Sequence, residues 1–441
     1  MRRKLIIEHT SSPPQDCSAL SRVAWLCIGL SVVPITGCAA GREYGNAGTT
    51  VRTGAERLFT DRYHLVESRR VGLVTNHSAI VAGQHLADRL HADPSIELVA
   101  LFGPEHGIRG IADAGEPVDH GVDERTGVPV YSLYGEIDRP TAEMLEGVDV
   151  LIFDIQDVGA RFYTYPATMG RAMKSAAEAG IPFLVLDRPN PIAGLPVEGP
   201  VREDRFRSGI GLYPTPITHG MTVGELALMI KGESWHEGIE DLDLHVVEME
   251  GWTRGMLWPD TGMEWVAPSP NIPDVETAIV YPGTCFFEGT IASEGRGTYR
   301  PFLQVGSPCV NSNAVADELN RRDLPGLAFS PVTFVPESIE GMSTQPKLLG
   351  EEVHGVRIEV TEPAKVRPVE AGIHILQAVY ESLATEARET FFIEGGLNIR
   401  AGNEEVLNQL RQGDRVDRIV AGWEREVERF KIEREPYLIY D

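Results

Sequence analysis

The sequence of 441 residues predicts a parallel-sheet α/β domain followed by a smaller α+β domain. Near-continuous apolar runs at 148–155 and 181–187 are typical of strands that are buried on both faces of a sheet. Between them, Met169, Met173 and Ala176 recur at the spacing of one helix face. A helix that connects two such strands indicates a β-α-β unit, in which the strands run parallel.

The first 57 residues are expected to lie outside these domains. Residues 1–37 combine a basic start with a short apolar run, which is typical of an export signal and too short to cross a bilayer. The run ends in the letters ITGC, which resemble a bacterial lipobox and make Cys38 the candidate lipid-bearing residue. An ordinary signal peptide is the alternative. Residues 38–57 are small and polar, as in a flexible tether.

The larger domain is predicted to span residues 58–306. It contains two further β-branched or apolar runs, VGLVT at 71–75 and IELVALF at 96–102, that predict strands. A helix is expected to begin at Thr222, because Glu225 follows three residues later and the two together form a capping box.

The smaller domain is predicted to span residues 307–441. Its segments LAFSPVTFVP and HGVRIEVTEP alternate apolar and polar residues, as half-exposed strands do. Three helical segments follow, around 370–384, 403–412 and 414–430. This change from buried strands to alternating ones is the reason for a boundary near residue 307.

Composition and motifs exclude several classes of function. The net charge of −25 repels nucleic acid and anionic lipid surfaces. The sequence has no HExxH or CxxC pattern, so no metal site is predicted. It has no G-x-S-x-G motif of a serine hydrolase and no G-x-G-x-x-G after its first strand, so neither that nucleophile nor a nucleotide cofactor is expected.

Polar side chains cluster just after four predicted strands. They are, in chain order, Asn76 and His77; Glu105, His106 and Arg109; Gln156, Arg161 and Tyr163; and Asn190. The carboxyl ends of parallel strands share one rim of a sheet, where ligands bind. Each residue alone could serve as a helix cap, a turn former or a surface ion pair, so the prediction of a site rests on the four groups together.

A second group lies in the glycine-rich stretch FFEGTIASEGRGT at 286–298, which carries Glu288, Glu294 and Arg296. Glycine allows a backbone to approach a ligand closely. The alternative is a hairpin with solvated acids. Cleavage of a glycosidic bond needs a proton donor and a second carboxylate or a group of the substrate itself. These residues are compatible with that chemistry, and equally with a sugar-binding module.

Several longer motifs resemble the exo-β-N-acetylmuramidase (NamZ-type) family, which was formerly catalogued as a domain of unknown function. They include GLVTNHSAI, LFGPEHGIRG, VDVLIFDIQDVGARFYTY, DRPNPIAGLPVEGP, FFEGTIASEGRGTYRPF and REPYLIYD. The resemblance runs from about residue 58 to residue 441. It implies a Rossmann-like N-terminal domain, a smaller C-terminal domain and a cleft between them.

The resemblance also implies an activity, the release of N-acetylmuramic acid from the non-reducing ends of peptidoglycan fragments. The family's candidate catalytic glutamate falls on Glu105. The second catalytic role goes to Glu288 or Glu294, or to the N-acetyl group of the substrate. Arg161 and Arg296 are expected to bind the lactyl carboxylate. The remaining substrate-binding candidates are Asn76, His77, His106, Arg109, Gln156, Tyr163 and Asn190.

Taken together, these features predict an exported lipoprotein, anchored by Cys38 on the periplasmic or cell-surface side, that trims sugars derived from peptidoglycan. No cofactor, metal or nucleic-acid partner is expected. The alternative from another class is a lipoprotein that binds muropeptides without cleaving them. A chromogenic β-N-acetylmuramide separates the two, because only an enzyme releases the chromophore.

Overall fold

The predicted parallel sheet is present in the computed structural model, which describes residues 50–104, 107–109 and 121–441. Its strands and those of two smaller sheets are β1 (Arg70–Thr75), β2 (Ile80–Val81), β3 (Gln84–His85), β4 (Glu97–Gly103), β5 (Gly121–Val122), β6 (Pro129–Ser132), β7 (Val150–Asp154), β8 (Phe183–Leu186), β9 (Leu244–Val247), β10 (Gln304–Ser307), β11 (Leu327–Phe334) and β12 (Val353–Val360). The signal segment, the proposed lipidation site Cys38 and most of the tether lie outside the described residues.

The helices lie on the faces of these sheets and between them. They are α1 (Gly54–Leu58), α2 (Leu86–Ala92), α3 (Tyr165–Ala179), α4 (Val223–Gly232), α5 (Val275–Thr284), α6 (Ser312–Arg322), α7 (Pro368–Ser382), α8 (Thr385–Glu389), α9 (Gly396–Ala401), α10 (Glu405–Gln412) and α11 (Val416–Arg434). Within the described part of the chain, no helix combines the length and apolarity that a membrane span requires.

The strand order β5-β6-β4-β1-β7-β8-β9 explains where a ligand site can form. All neighbours in this seven-stranded sheet are parallel except the short edge strand β5. The chain moves outward from β1 to β4 and β6, then returns to the other side of β1 as β7. The loops after β1 and β7 therefore diverge at the carboxyl edge of the sheet, where open α/β sheets bind ligands. This confirms the predicted fold class.

The β-α-β unit follows from its sequence as predicted. Every residue of β7 is buried, and α3 covers the sheet with Met169, Ala172, Met173 and Ala176 at zero exposure. The helix ends at Gly180, whose φ of 67° is left-handed and favours glycine. The capping box predicted at Thr222 and Glu225 is also present at the start of α4.

The second part of the chain is built on the antiparallel sheet β10-β12-β11 and the helices that cover it. Helix α5 packs against α7 so closely that a Cβ atom on Gly283 would lie 2.0 Å from the carbonyl oxygen of Pro368. Since α7 belongs to the second part, α5 joins it as well. Helix α5 thus packs against the second part although it precedes the boundary at 306/307, which stays a prediction.

The last residues of the chain return to the first sheet. The Tyr440 hydroxyl donates to Asp187 Oδ2 at 2.6 Å, just beyond β8, and the Ile439 amide donates to Glu225 Oε1 at 3.0 Å. Arg434 donates to the carbonyl oxygen of Gly220 at 2.6 Å. The two parts of the chain are thus joined by buried polar contacts as well as by apolar packing.

A buried ion pair beneath the carboxyl edge gives a test of this fold. Arg188 Nε and Nη2 donate to Asp154 at 2.5 and 2.9 Å, and the two side chains are 3% and 0% exposed. Replacing Arg188→Met should lower the free energy of unfolding by about 3–5 kcal/mol, because Asp154 would stay buried without its partner. Urea unfolding followed by circular dichroism measures this.

Arg139→Met is the matched control, because Arg139 pairs with Glu178 at 2.5 Å on the surface, where both side chains are more than a third exposed. That change should cost less than about 1 kcal/mol. If both substitutions lowered the free energy of unfolding equally, the buried pair would stabilise the fold no more than the surface pair does.

Candidate active site

A cleft of about 760 Å³ lies between an aromatic wall and a charged floor. The wall comes from the segment after β7 and from α5, and includes Phe162, Tyr163, Tyr165 and Tyr281. The floor comes from the glycine-rich stretch, a loop at 343–347 and helix α9, and includes Glu288, Glu294, Arg296, Lys347 and Arg400. Both parts of the chain therefore contribute to one site.

The position of Glu288 follows from a tight turn of 3-10 helix that continues α5 through Gly289. This turn packs directly on α9, since a Cβ atom on Gly289 would lie 2.7 Å from the amide nitrogen of Leu397. A larger residue would separate the turn from α9. The close approach brings Arg400, near the end of α9, to the Glu288 carboxylate.

Two arginines hold Glu288. Arg296 Nη2 donates to Oε1 at 2.7 Å, and Arg400 Nη2 donates to Oε2 at 2.8 Å. Burial by itself raises the pKa of Glu288, but the charges of Arg296 and Arg400 outweigh it and hold the pKa below its ordinary value. Glu288 is therefore an ionised counter-ion with both oxygens occupied, which makes it unsuited to donating a proton.

Glu294 has a different environment. It is 3% exposed, and its Oε2 lies 2.8 Å from Lys347 Nζ. The ammonium group of Lys347 donates to the carbonyl oxygens of Phe287, Thr290 and Ala292 at 2.7–2.9 Å. Because these three bonds use its three protons, Lys347 contacts Glu294 as a neighbouring charge rather than as a further hydrogen-bond donor.

The floor carries more positive than negative charge. Arg296, Arg400 and Lys347 face the carboxylates of Glu288 and Glu294, which leaves a surplus of one positive charge. This surplus contrasts with the chain as a whole, whose net charge is −25. A local positive field in a low-dielectric cleft attracts an anionic ligand.

The aromatic wall offers flat apolar surface next to this floor. Tyr163 packs edge-on against Tyr165 and Tyr281, with ring centroids 4.8 and 6.2 Å apart. The Phe302 ring lies behind Arg296, whose guanidinium carbon is 5.4 Å from the ring centre. A sugar has an apolar C–H face and an edge of hydroxyl groups. Aromatic rings can pack against the first, and neighbouring polar groups can hydrogen-bond to the second.

The structure brings four of the predicted site residues into this cleft, namely Tyr163, Glu288, Glu294 and Arg296. Glu105 and His106 lie outside the described residues. Strand β4, which precedes them, ends at Gly103 and pairs there with Ser132 of β6. Two residues beyond Ser132, Tyr134 lines the cleft.

Arg161 does not face the cleft, contrary to the prediction that it binds a carboxylate. Its Nη1 donates to the carbonyl oxygens of Pro200 and Thr215 at 2.7 and 2.6 Å. Its Nη2 donates to those of Arg400 and Ala401 at 2.7 and 2.9 Å. Burial lowers the pKa of Arg161 to about 9. Arg161 therefore fixes the end of α9 and thereby the backbone of Arg400.

Arg109 is likewise engaged within the protein. It donates to Asp88 at 2.7 Å and to Asp123 at 2.8 Å, and these two carboxylates hold its guanidinium. Arg109 thus joins α2 to the loop before β6, and its role in binding substrate stays a prediction.

The polar residues after β1, β7 and β8 mostly form turns. Asn76 Oδ1 accepts from the Ser78 amide at 3.0 Å, and Asn190 Nδ2 donates to the carbonyl oxygen of Met221 at 3.0 Å. Gln156 Nε2 donates to the carbonyl oxygen of Pro189 at 2.8 Å. His77 Nε2 lies 2.7 Å from the carbonyl oxygen of Ala267. For Asn76 and Asn190 the turn-forming interpretation is the one that the geometry supports.

Sequence reasoning missed Arg400 and Lys347, both of which belong to the floor. Arg400 lies 112 positions from Glu288 in the chain, and neither Arg400 nor Lys347 is part of a motif that indicates binding. The packing of α9 on the turn at Gly289 reveals Arg400. The bonds from Lys347 to the carbonyl oxygens of Phe287, Thr290 and Ala292 reveal Lys347.

The described residues give no metal site, because no group of three or more His, Cys, Asp or Glu side chains among them is arranged to hold an ion. The carboxylates of the floor are neutralised by arginine and lysine instead. Their partners leave no ligand set for a cation at this position.

A cleft that combines aromatic rings with charged side chains on a parallel α/β sheet suits a protein that binds or cleaves carbohydrates. Family models for the N-terminal and C-terminal parts of the exo-β-N-acetylmuramidase NamZ match residues 71–276 and 279–440. The chain belongs to this family.

Individual proteins agree with the family models. The chain is 44% identical over 391 residues to the peptidoglycan β-N-acetylmuramidase NamZ of Bacillus subtilis strain 168, an alignment that covers 88% of this chain and 91% of that protein. It is similar to crystal structures of two DUF1343 family proteins from Bacteroides fragilis NCTC 9343. Their TM-scores are 0.80 and 0.74 at 35% and 34% identity, and each alignment covers 89% of this chain and 99% of the other.

The buried carboxyl group of Asp157 gives a pH-dependent prediction. Burial raises its pKa to about 7, although the amides of Gly159 and Val158 partly oppose the shift. Because the folded protein then binds a proton that the unfolded chain releases, stability falls as the pH rises towards 7. Between pH 5 and pH 8, Asp157→Asn should gain stability relative to the parent by up to about 3 kcal/mol. Urea unfolding at both pH values measures this gain.

Asp241→Asn serves as the control, since Asp241 is exposed on the surface. Its effect should be the same at both pH values. A gain for Asp157→Asn that does not change with pH would refute the buried, protonated state.

Proposed function

We propose that this protein is a glycoside hydrolase that releases N-acetylmuramic acid from the non-reducing ends of peptidoglycan fragments. Its family membership and its likeness to a peptidoglycan β-N-acetylmuramidase support an activity of this class. The observation that carries the proposal is the cleft itself, in which aromatic rings stand beside a floor with a surplus positive charge. An amino sugar that carries a carboxylate complements both features.

The reaction requires two roles. A proton donor assists departure of the glycosidic oxygen, and a second group stabilises the positive charge that develops at the anomeric carbon or captures that carbon. We assign the first role to Glu105, which comes two residues after the end of β4 in the sequence. Glu294 is the better candidate for the second among the carboxylates of the floor, because the two arginines occupy both oxygens of Glu288. The N-acetyl group of the substrate remains the alternative to Glu294.

The proton donor is tested with a chromogenic β-N-acetylmuramide. Glu105→Gln should lower kcat by about 10²–10⁴-fold, because glutamine cannot protonate the leaving oxygen. Glu294→Gln in the same assay should also lower kcat if Glu294 supports the developing charge. Release of the chromophore is followed by absorbance, and thermal unfolding checks that both variants fold.

Glu124→Gln is the control, since Glu124 is an exposed carboxylate on the loop before β6 and should leave kcat unchanged. If Glu105→Gln cleaves as fast as the parent, Glu105 is not the acid. If the parent binds the substrate without releasing the chromophore, the protein is a muropeptide-binding module instead.

We further propose that the protein is exported and anchored by a lipid on Cys38, at the periplasmic or cell-surface side of a membrane. The basic start, the short apolar run and the lipobox-like ITGC support this. Cys38→Ala should move the protein from the membrane fraction to the soluble fraction of cells that express the full chain. Immunoblotting of the two fractions measures the shift, and an unchanged distribution would contradict the anchor.

A further inference from the structure

The arginine pair at Glu288 has the geometry of a clamp. Arg296 holds Glu288 Oε1 and Arg400 holds Glu288 Oε2, so each oxygen of one carboxylate has its own guanidinium group. Both side chains remain partly accessible from the cleft, at 28% and 18% exposure. An internal carboxylate thus fixes the orientation of two cations that line a cavity.

Arg296 retains hydrogen-bonding capacity that the protein does not use. Its Nη2 donates to Glu288, but its Nη1 donates to no group of the described residues. Its Nε is buried and lies 3.8 Å from Glu294 Oε1, too far for a hydrogen bond. The N–H groups of Nη1, together with the N–H of Nη2 that Glu288 does not use, can donate to a carboxylate of a ligand.

Arg400 makes more hydrogen bonds within the protein than Arg296 does. Besides Glu288, its Nη1 donates to the carbonyl oxygen of Gly396 at 3.0 Å, one turn earlier in α9. Arg161, behind the floor, bonds the carbonyl oxygen of Arg400 itself at 2.7 Å. A cation whose side chain and backbone are both fixed loses little conformational entropy on binding a ligand.

The charge of the floor indicates the charge of its ligand. Three cations and two carboxylates leave one positive charge, which a single carboxylate neutralises. A phosphate dianion would leave the floor with net negative charge in a protein that is already strongly acidic. The third cation, Lys347, is saturated by carbonyl groups, so the free capacity lies with the arginines.

From these contacts we infer that Arg296 and Arg400 form a specificity clamp for the carboxylate of the substrate, with Glu288 as the residue that positions them. The inference rests on the proposed function and deepens it. The clamp discriminates between amino sugars that differ only in an acidic ether substituent. Glu288 thereby has a positioning role and does not take part in the bond cleavage.

The test compares two chromogenic β-N-acetylmuramides, one with the free lactyl carboxylate and one with the neutral lactyl amide. The parent should prefer the acid in kcat/KM by about 10–100-fold, the range expected for a charge-assisted hydrogen bond. In Arg296→Gln and Arg400→Gln this preference should fall to within a few-fold of unity. The ratio of kcat/KM for the acid to that for the amide is the readout, because a loss of folding or of the position of Glu288 lowers activity on both substrates, whereas loss of the clamp lowers it on the acid more.

Arg425→Gln is the matched control, because it removes the same charge from an exposed position on α11 and should keep the parent's preference. Thermal unfolding verifies that the variants are folded. Arg296→Lys adds a second comparison. It keeps the charge and loses the planar pair of donors, so it should restore only part of the preference for the acid.

The outcomes separate this inference from the proposed function. If the parent cleaves the acid and the amide equally well, or if both arginine variants keep the preference, the clamp is refuted while the hydrolase remains. If the parent cleaves neither, calorimetric titration with free N-acetylmuramic acid and with N-acetylglucosamine decides. Preferential binding of the acid that is lost in Arg296→Gln supports the clamp in a non-hydrolytic protein, and equal binding of the two sugars refutes it.

Discussion

The charged floor of the cleft depends on one buried carboxylate, that of Glu288, and on the two arginines that neutralise it. Removing a carboxylate from water costs several kcal/mol, which is recovered only with well-placed opposite charges. The protein supplies these charges from distant points of the chain. Arg296 lies in the same glycine-rich stretch as Glu288. Arg400 lies on α9, which can pack close to Glu288 because Gly289 has no side chain to separate α9 from the turn. A displacement of α9 would therefore leave Glu288 without one of its partners.

The same constraint links the site to the rest of the fold. Arg161, just beyond β7, bonds the last carbonyl groups of α9, so the parallel sheet and the C-terminal part position one another. The C-terminal end of the chain also joins the second part to the parallel sheet, because the Tyr440 hydroxyl donates to Asp187 just beyond β8. The cleft is thus lined by side chains whose backbones are anchored to both parts, which limits how far its wall and its floor can move apart.

The sequence predicts those features that depend on local pattern. Strand β7 is recognisable from its continuous run of apolar residues, which burial on both faces requires. Helix α3 is recognisable from apolar residues that recur at the spacing of one helix face. Strand β9 was not predicted, since three of its four residues are only half-buried at the sheet edge and give neither pattern. The boundary at 306/307 stays a prediction. The sequence does not show that α5, which is apolar like the strands before it, packs against α7.

The sequence indicated which types of residue belong to the site, but it did not show what each side chain contacts. The acidic and basic residues of the glycine-rich stretch were recognised and do meet in the cleft. Arg161 was misinterpreted because a sequence cannot show whether the donors of a guanidinium bind backbone carbonyls or remain available to a ligand. Arg400 and Lys347 were missed because their role depends on contacts with residues far away in the chain.

The protonation state of Glu288 decides which role this residue can have in the cleft. A general acid must hold a proton at working pH, which requires a carboxyl group whose charged form is not strongly favoured. Glu288 fails this condition, since Arg296 and Arg400 hold its pKa below the ordinary value. The feature that makes the floor suited to binding an anion is the one that prevents this glutamate from donating a proton. The acid must then come from outside the arginine pair. That requirement agrees with the proposal that Glu105, which follows β4 in the sequence, donates the proton. In that proposal the arginines of the floor recognise the substrate and a different residue assists cleavage of its bond.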